Sequence, residues 1–385
     1  MKNKLLFLLL WSLQACRSLP PVYQSNRQIE TLAKDPVSKE YPIVTWEYSC
    51  IGEYQKSLKA FDDYYRITRQ TIPYPNISLP AYFMAEDARN HIIRKSAGEK
   101  IMIINEAHHQ PMHRVFTESL LEGLYNNGFR FLALEALVTN SKINETKLLT
   151  LHDGYYTKEP QFGNLINKAL ALGYYVFGYE YTDDPTNRES GQAKNISAVL
   201  NQHPDAKILI HCGFNHLVED KHPSGIRTMA QELRQLTGTD PFTIDQVVFS
   251  EHHDRSYEHP LYKNFNVEKP AVLSDKEGQL ISLNGDSSIV DLRVIHPPTQ
   301  LVHGRPAWLY RNGQWKNKYL DNPEIRFPAT LLVYPYGRED ENSVPVDIIE
   351  INNPQEKALV LPPGKFIVKI KDRDGKITRT MIEVE

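Results

Sequence analysis

Apolar residues in the middle of the chain follow two alternating patterns. Short unbroken runs at 100–106 (K-I-M-I-I-N-E), 130–134, 174–179, 207–210 and 243–250 have the length and branched content of strands buried on both faces. Helical spacing fills the gaps between them. Pro111 opens a helix whose Met112, Phe116, Leu120 and Leu124 repeat every four residues until Asn126, Asn127 and Gly128 stop it. Further helices are expected over 162–172, closed by Gly173, from Asp184 and Pro185 towards Asn201, and over 224–236, closed by Gly238. Another, over 82–95, precedes the first strand. Five strands alternating with helices predict an α/β fold, a mostly parallel β-sheet with helices on both faces.

After residue 320 the period changes. Short strands at 329–336, 346–351, 359–361, 366–370 and 377–384, separated by Pro, Gly, Asn or Asp, predict a small C-terminal all-β sandwich over 321–385. The N-G of A-W-L-Y-R-N-G-Q-W (307–315) signals a hairpin just before it. The α/β domain then occupies 81–320. Residues 16–80 form a partly helical extension, with helical spacing over 54–69 and little sign of a role.

The N-terminus carries an address. Lys2 and Lys4 precede an apolar run of nine residues, Leu5 to Leu13, too short to span a bilayer. The run ends in L-Q-A-C (13–16), so residues 1–15 resemble a lipoprotein signal peptide and Cys16 the residue that accepts lipid, such as palmitate. The expected location is the bacterial cell envelope, outer membrane or surface, with the membrane held through lipid alone.

Composition narrows the classes. At 385 residues, 41% hydrophobic and 24% charged, the chain is neither disordered nor polytopic. Its 44 Lys and Arg against 47 Asp and Glu leave a charge of −3 without long basic blocks, which argues against nucleic acid as a partner. Three cysteines, Cys16, Cys50 and Cys212, permit at most one structural disulfide and no Cys-rich zinc module.

The strand ends hold the chemistry. An open α/β sheet binds ligands beyond the carboxyl ends of its strands. In chain order those ends carry Glu106, His108 and His109, then Glu135, Glu180, His211 and His216, and finally Glu251, His252 and His253. Glu135, within A-L-E-A-L, has apolar flanks that imply burial and therefore a partner. Glu251 to His253 read as loop residues, and Cys212 as a small residue ending a buried strand.

I-I-N-E-A-H-H-Q-P-M-H-R (103–114), a Glu closing the next strand and G-F-N-H (213–216) resemble the erythromycin-esterase/ChaN-like superfamily, with its TIKI/TraB-type relatives, over residues 82–253. Asn105 stands where that family usually has Gly. The resemblance implies a site of Glu106, His109, Glu135 and His216, with Glu180 and His211 as neighbours. It further implies a hydrolase, esterase- or metalloprotease-like, acting on a small-molecule or peptide substrate, or alternatively a haem- or iron-binding lipoprotein. A non-catalytic surface interaction protein is the third reading.

Two imidazoles and two carboxylates suit one divalent ion (Zn, Mn or Fe) that lowers the pKa of a bound water. Without metal, His109 is the expected general base, oriented by Glu106 or Glu135, with His216 or Arg114 stabilising the oxyanion.

Overall fold

The computed structural model describes residues 23–34, 41–72, 74–220, 225, 227–285, 289–320 and 324–385. Residues 1–15 and Cys16, which carry the lipoprotein expectation, lie outside the described residues. No helix among the described residues is long and apolar enough to cross a membrane.

All five expected strands are present: β2 (Ile101–Glu106), β3 (Phe129–Leu134), β4 (Tyr175–Gly178), β5 (Lys207–Gly213) and β6 (Phe242–Phe249). They lie parallel in the order β4-β3-β5-β2-β6. The sheet then extends through strands the hydrophobic pattern did not mark. β9 (Leu292–Ile295) joins β6 in parallel, followed by antiparallel β7 (Ala271–Ser274) and β1 (Met84–Asp87), with β8 (Leu280–Ile281) attached to β7.

β2 is buried at all six positions, and the strand pleat divides its side chains between two cores. Met102 and Ile104 face helices α4 (Ala88–Ser96), α5 (Met112–Asn126) and α7 (Pro160–Leu172) through Ile92, Leu120 and Phe162. Ile101 and Ile103 face α8 (Arg188–Gln202) and α9 (Met229–Thr237) through Ile196 and Leu233. Full burial of each such side chain contributes about 1.5–3 kcal/mol, which makes this three-layer packing the main source of stability.

Two expectations need correction. The helix expected over 82–95 begins only at Ala88, because the Asp87 carboxylate caps it by accepting from Asn90 N–H at 2.9 Å. The residues before that cap pair instead with β7, far along the chain. The N-G hairpin at 307–315 is a 3-10 segment, Ala307–Gly313. Arg311 and Asn312 do take positive φ, as such a turn requires, but Arg311 is drawn inward to Glu118 at 2.9 Å and Gln161 at 2.7 Å, and the flanking strands, Arg305–Pro306 and Lys316–Lys318, pair with Leu301–Val302 and Leu359–Leu361 instead of with each other.

The five C-terminal strands all form, near the expected positions. Four build an antiparallel sheet in the order Asp347–Ile351, Ala329–Pro335, Gly364–Lys371, Ile377–Val384, and Leu359–Leu361 pairs with Lys316–Lys318. The N-terminal helices α1 (Asn26–Leu32), α2 (Tyr41–Cys50) and α3 (Tyr54–Thr68) join this region to the large sheet. Ile29, Val44 and Ile51 pack on Ile348, while Trp46 and Phe61 reach residues at the sheet rim. Cys50 and Cys212 are both free and buried.

Candidate active site

Glu106 is the last residue of β2 and is buried. Arg114, two residues into α5, grips it through Nε to Oε2 at 2.6 Å and Nη2 to Oε1 at 2.7 Å. A second carboxylate, Glu159, accepts from Arg114 Nη1 at 2.9 Å while capping α7 through Phe162 N–H. The guanidinium lies between the Trp46 and Phe162 rings. Burial alone would raise the pKa of Glu106, but Arg114 and the hydrogen bond from His108 outweigh it and hold the carboxyl well below its usual range.

The imidazole that Glu106 orients belongs to His108. Its Nδ1 lies 2.8 Å from Glu106 Oε1, and because an ionised carboxylate only accepts, Nδ1 carries the proton. Nε2 is left as a base, on a side chain 23% exposed. The ring stacks on Tyr156 at 4.4 Å and meets the edge of Phe214 at 5.2 Å. Gly213 makes the position possible, since a Cβ there would fall 2.5–2.6 Å from the His108 ring and 3.3 Å from Glu135 Oε2.

His109, the base expected from the motif, faces another way. Its ring stacks on Phe61 at 3.7 Å, its carbonyl accepts from Ser57, and burial followed by the neighbouring histidines drives its pKa well down. The turn after β2 sends consecutive side chains to opposite sides, so of the E-A-H-H residues only His108 stays with Glu106.

Glu135, just past β3, is the second carboxylate. It accepts from Gly213 N–H at 2.6 Å and from Arg188 Nη2 at 2.6 Å. Burial raises its pKa, but His216 and Arg188 bring it down to about 2. Arg188 also binds both oxygens of Glu180, through Nε at 2.9 Å and through Nη2. Its Nη1 meets His216 Nε2 at 2.9 Å. In that arrangement Nε2 accepts, and His216 Nδ1–H donates to Glu189 at 2.9 Å. Burial lowers the His216 pKa, while Glu189 and then Glu135 raise it further than burial depresses it. One Nη1–H of Arg188 remains free of these partners.

His211 sits beneath the rim with Nε2 3.6 Å from Glu106 Oε2, and burial lowers its pKa to about 4. Of the residues expected from sequence, Glu106, Arg114, Glu135, Glu180, His211 and His216 therefore converge on two linked ion clusters, and His109 does not. His108 was placed at the rim from sequence but given no role, and Glu159, Arg188 and Glu189 were missed. Arg188 had left a signal, for a cation in the first turn of a helix opposes the helix dipole and requires nearby anions.

Asn105 also has a defined use. Its Nδ2 donates to Phe214 O at 2.8 Å and to Asp245 at 2.9 Å, and its Oδ1 accepts from Gln246 N–H at 2.8 Å. These bonds hold Phe214 at φ 41, an uncommon backbone for a non-glycine residue, with its ring against His108.

The donor set does not fit a divalent ion. Both oxygens of Glu106 and one of Glu135 are taken by guanidinium groups, whose charge repels a cation, and both nitrogens of His216 are engaged. Among the described residues no group of three or more His, Cys, Asp and Glu is placed to hold a metal.

No family model matches the sequence, and no curated protein does. Solved structures give distant likenesses. The type III effector HopBA1 aligns with TM-score 0.32 and 13% identity, over 56% of this chain and 99% of that one. RRSP, a MARTX toxin effector domain from Vibrio vulnificus CMCP6, aligns with TM-score 0.30 and 14% identity, over 62% and 50%. A structure described as bacterial protein toxins gives 0.32 and 12%, over 57% and 47%, so the chain spans about half the length of the latter two. Likenesses of this size carry no argument about reaction or substrate.

Proposed function

We propose that the protein is a metal-independent hydrolase of ester or amide bonds, with His108 as general base and Glu106 as the carboxylate that orients it. The observation carrying this reading is the division of the His108 ring: Nδ1 bound to an arginine-clamped carboxylate, Nε2 open beside Gly213 and Glu135. Nε2 takes a proton from water as the oxygen attacks the substrate carbonyl, then returns it to the departing alkoxide or amine as the carbonyl–heteroatom bond breaks. Arg188 brings the positive charge that a developing oxyanion requires. The same proposal places the chain at the bacterial cell envelope, held by lipid on Cys16, and reads the C-terminal sheets as a sandwich with a packing role. The motif residues 103–114 and 213–216, similar to the erythromycin-esterase/ChaN group, support it.

The test is hydrolysis of a panel of aryl esters and peptide anilides by the purified full chain. His108→Ala is expected to cut the rate by about 100-fold or more, His109→Ala to leave it close to the parent, and a chelator to change nothing. A His108→Ala protein as active as the parent, or activity lost to the chelator and restored by zinc, overturns the reading. Haemin binding with a Soret shift would favour the carrier alternative instead.

A further inference from the structure

The four-stranded C-terminal sheet has two unlike edges. Asp347–Ile351 is buried at every position, whereas Ile377–Val384 alternates between exposed and covered residues, with Ile377 62% and Met381 59% exposed. Natural edge strands are commonly protected by proline, a bulge or charged side chains, lysine above all. This strand, I-T-R-T-M-I-E-V, has neither proline nor lysine, its eight-residue register with Gly364–Lys371 is unbroken, and its charges, Arg379 and Glu383, are one of each sign.

The turn before it determines which backbone groups face outward. Asp372 N–H donates to Lys376 O at 3.0 Å, so the alternation of an antiparallel ladder directs even-numbered residues towards the neighbouring strand. Residues 377, 379, 381 and 383 therefore offer their N–H and C=O groups to the open side. Their side chains also lie on the exposed face.

We propose that a second copy of this chain pairs antiparallel with Ile377–Val384 about a two-fold axis at Met381, joining the two four-stranded sheets into one. The axis sets Met381 against its counterpart and Arg379 against Glu383 of the partner subunit, twice over. Every one of these pairs joins residues whose backbone groups face outward, as a hydrogen-bonded ladder requires. Sliding the strands so that the axis moves one residue either way places Met381 opposite Arg379 or Glu383, apolar against charged.

The neighbouring strand supports the same register. Ile367 lies opposite Met381, so an apolar row runs across the junction through both copies. Lys369 lies opposite Arg379, two like charges facing each other within one chain. Like charges so placed are destabilising, and the incoming carboxylate offsets them.

Cross-linking of the full chain in detergent tests the pairing. Two-fold-related Met381 Cα atoms would stand about 5.5 Å apart, within disulfide reach, whereas the two copies of Ile377 would be about 27 Å apart. Oxidation should therefore give a covalent dimer with Met381→Cys but not with Ile377→Cys, measured against the parent with its own cysteines. Adding Arg379→Glu to Met381→Cys should reduce the dimer about tenfold, and further adding Glu383→Arg should restore it. Circular dichroism checks that each variant is folded. A Met381→Cys protein that does not cross-link, an Ile377→Cys protein that cross-links as well, or charge reversal without effect would overturn the proposal.

Discussion

E-A-H-H at 106–109 and E-H-H-D at 251–254 look alike in sequence, and both follow a central strand of the sheet. Their environments separate them. Glu106 is gripped by a guanidinium and kept ionised. Glu251 is satisfied by the Thr299 hydroxyl and by Thr299 N–H at 2.8 Å, and burial raises its pKa. The imidazoles differ in the same sense. His108 has one nitrogen committed and one open, whereas His252 has Nδ1 on Asp62 at 2.6 Å and Nε2 on the Tyr74 hydroxyl at 2.8 Å. An imidazole with one free nitrogen can carry a proton to a substrate, and one bonded at both ends holds two segments together. Residue type therefore does not distinguish site from scaffold at this rim; the partners do.

The largest effect expected is at Arg114. Arg114→Met should keep the stem's packing between Trp46 and Phe162 while leaving Glu106 and Glu159 buried without their cation. Breaking such a cluster from one side costs about 3–5 kcal/mol. Urea unfolding should show a loss of that size with an unchanged slope. A loss under 1 kcal/mol, roughly the worth of a surface pair, would mean that the two halves of the rim are not held differently after all.

Acid should find the arginine-held half next. His211, with its pKa lowered by burial to about 4 from an ordinary 6.5, binds fewer protons folded than unfolded across that window. Its stabilising contribution is complete above pH 6.5 and is lost as pH falls towards 4, at up to about 1.4 kcal/mol per pH unit and roughly 3 kcal/mol in all. Glu135, lowered to about 2, adds a second decline below pH 4.5. Stability measured against pH should be less steep between 6.5 and 4 in His211→Gln. An unchanged slope would move the proton uptake to other buried histidines, such as His296.

Much of this rim was legible in the sequence, because β2, β3 and β5 are unbroken apolar runs ending in a carboxylate or imidazole, and chain order alone brings such ends to one edge. β1, β7 and β9 were not legible. Each has four residues, and each pairs with a strand distant in sequence, so neither length nor periodicity marks them. The choice between His108 and His109 depended on the path of a single turn and on Phe61, from an extension whose own pattern showed no role. Arg188 was overlooked because a helix start was read for its cap at Asp184 rather than for the charge placed in its first turn.

The smallest effect is also the sharpest test of the comparison. His252→Ala removes one partner from the buried Asp62 carboxylate and one from Tyr74, leaving Asp62 with Asp254 N–H at 2.8 Å. An unsatisfied buried group of this kind costs about 1–3 kcal/mol, and here the bond that remains places it near the lower end. Thermal unfolding should move down accordingly, while hydrolysis per folded molecule stays at the parent rate. His108→Ala should do the reverse, since its ring is partly exposed and the arginine clamp on Glu106 survives its loss. If His252→Ala instead abolished turnover at unchanged stability, the E-H-H-D segment would be the reactive one, and the Asp62–His252–Tyr74 chain would replace Glu106–His108 as the site to explain.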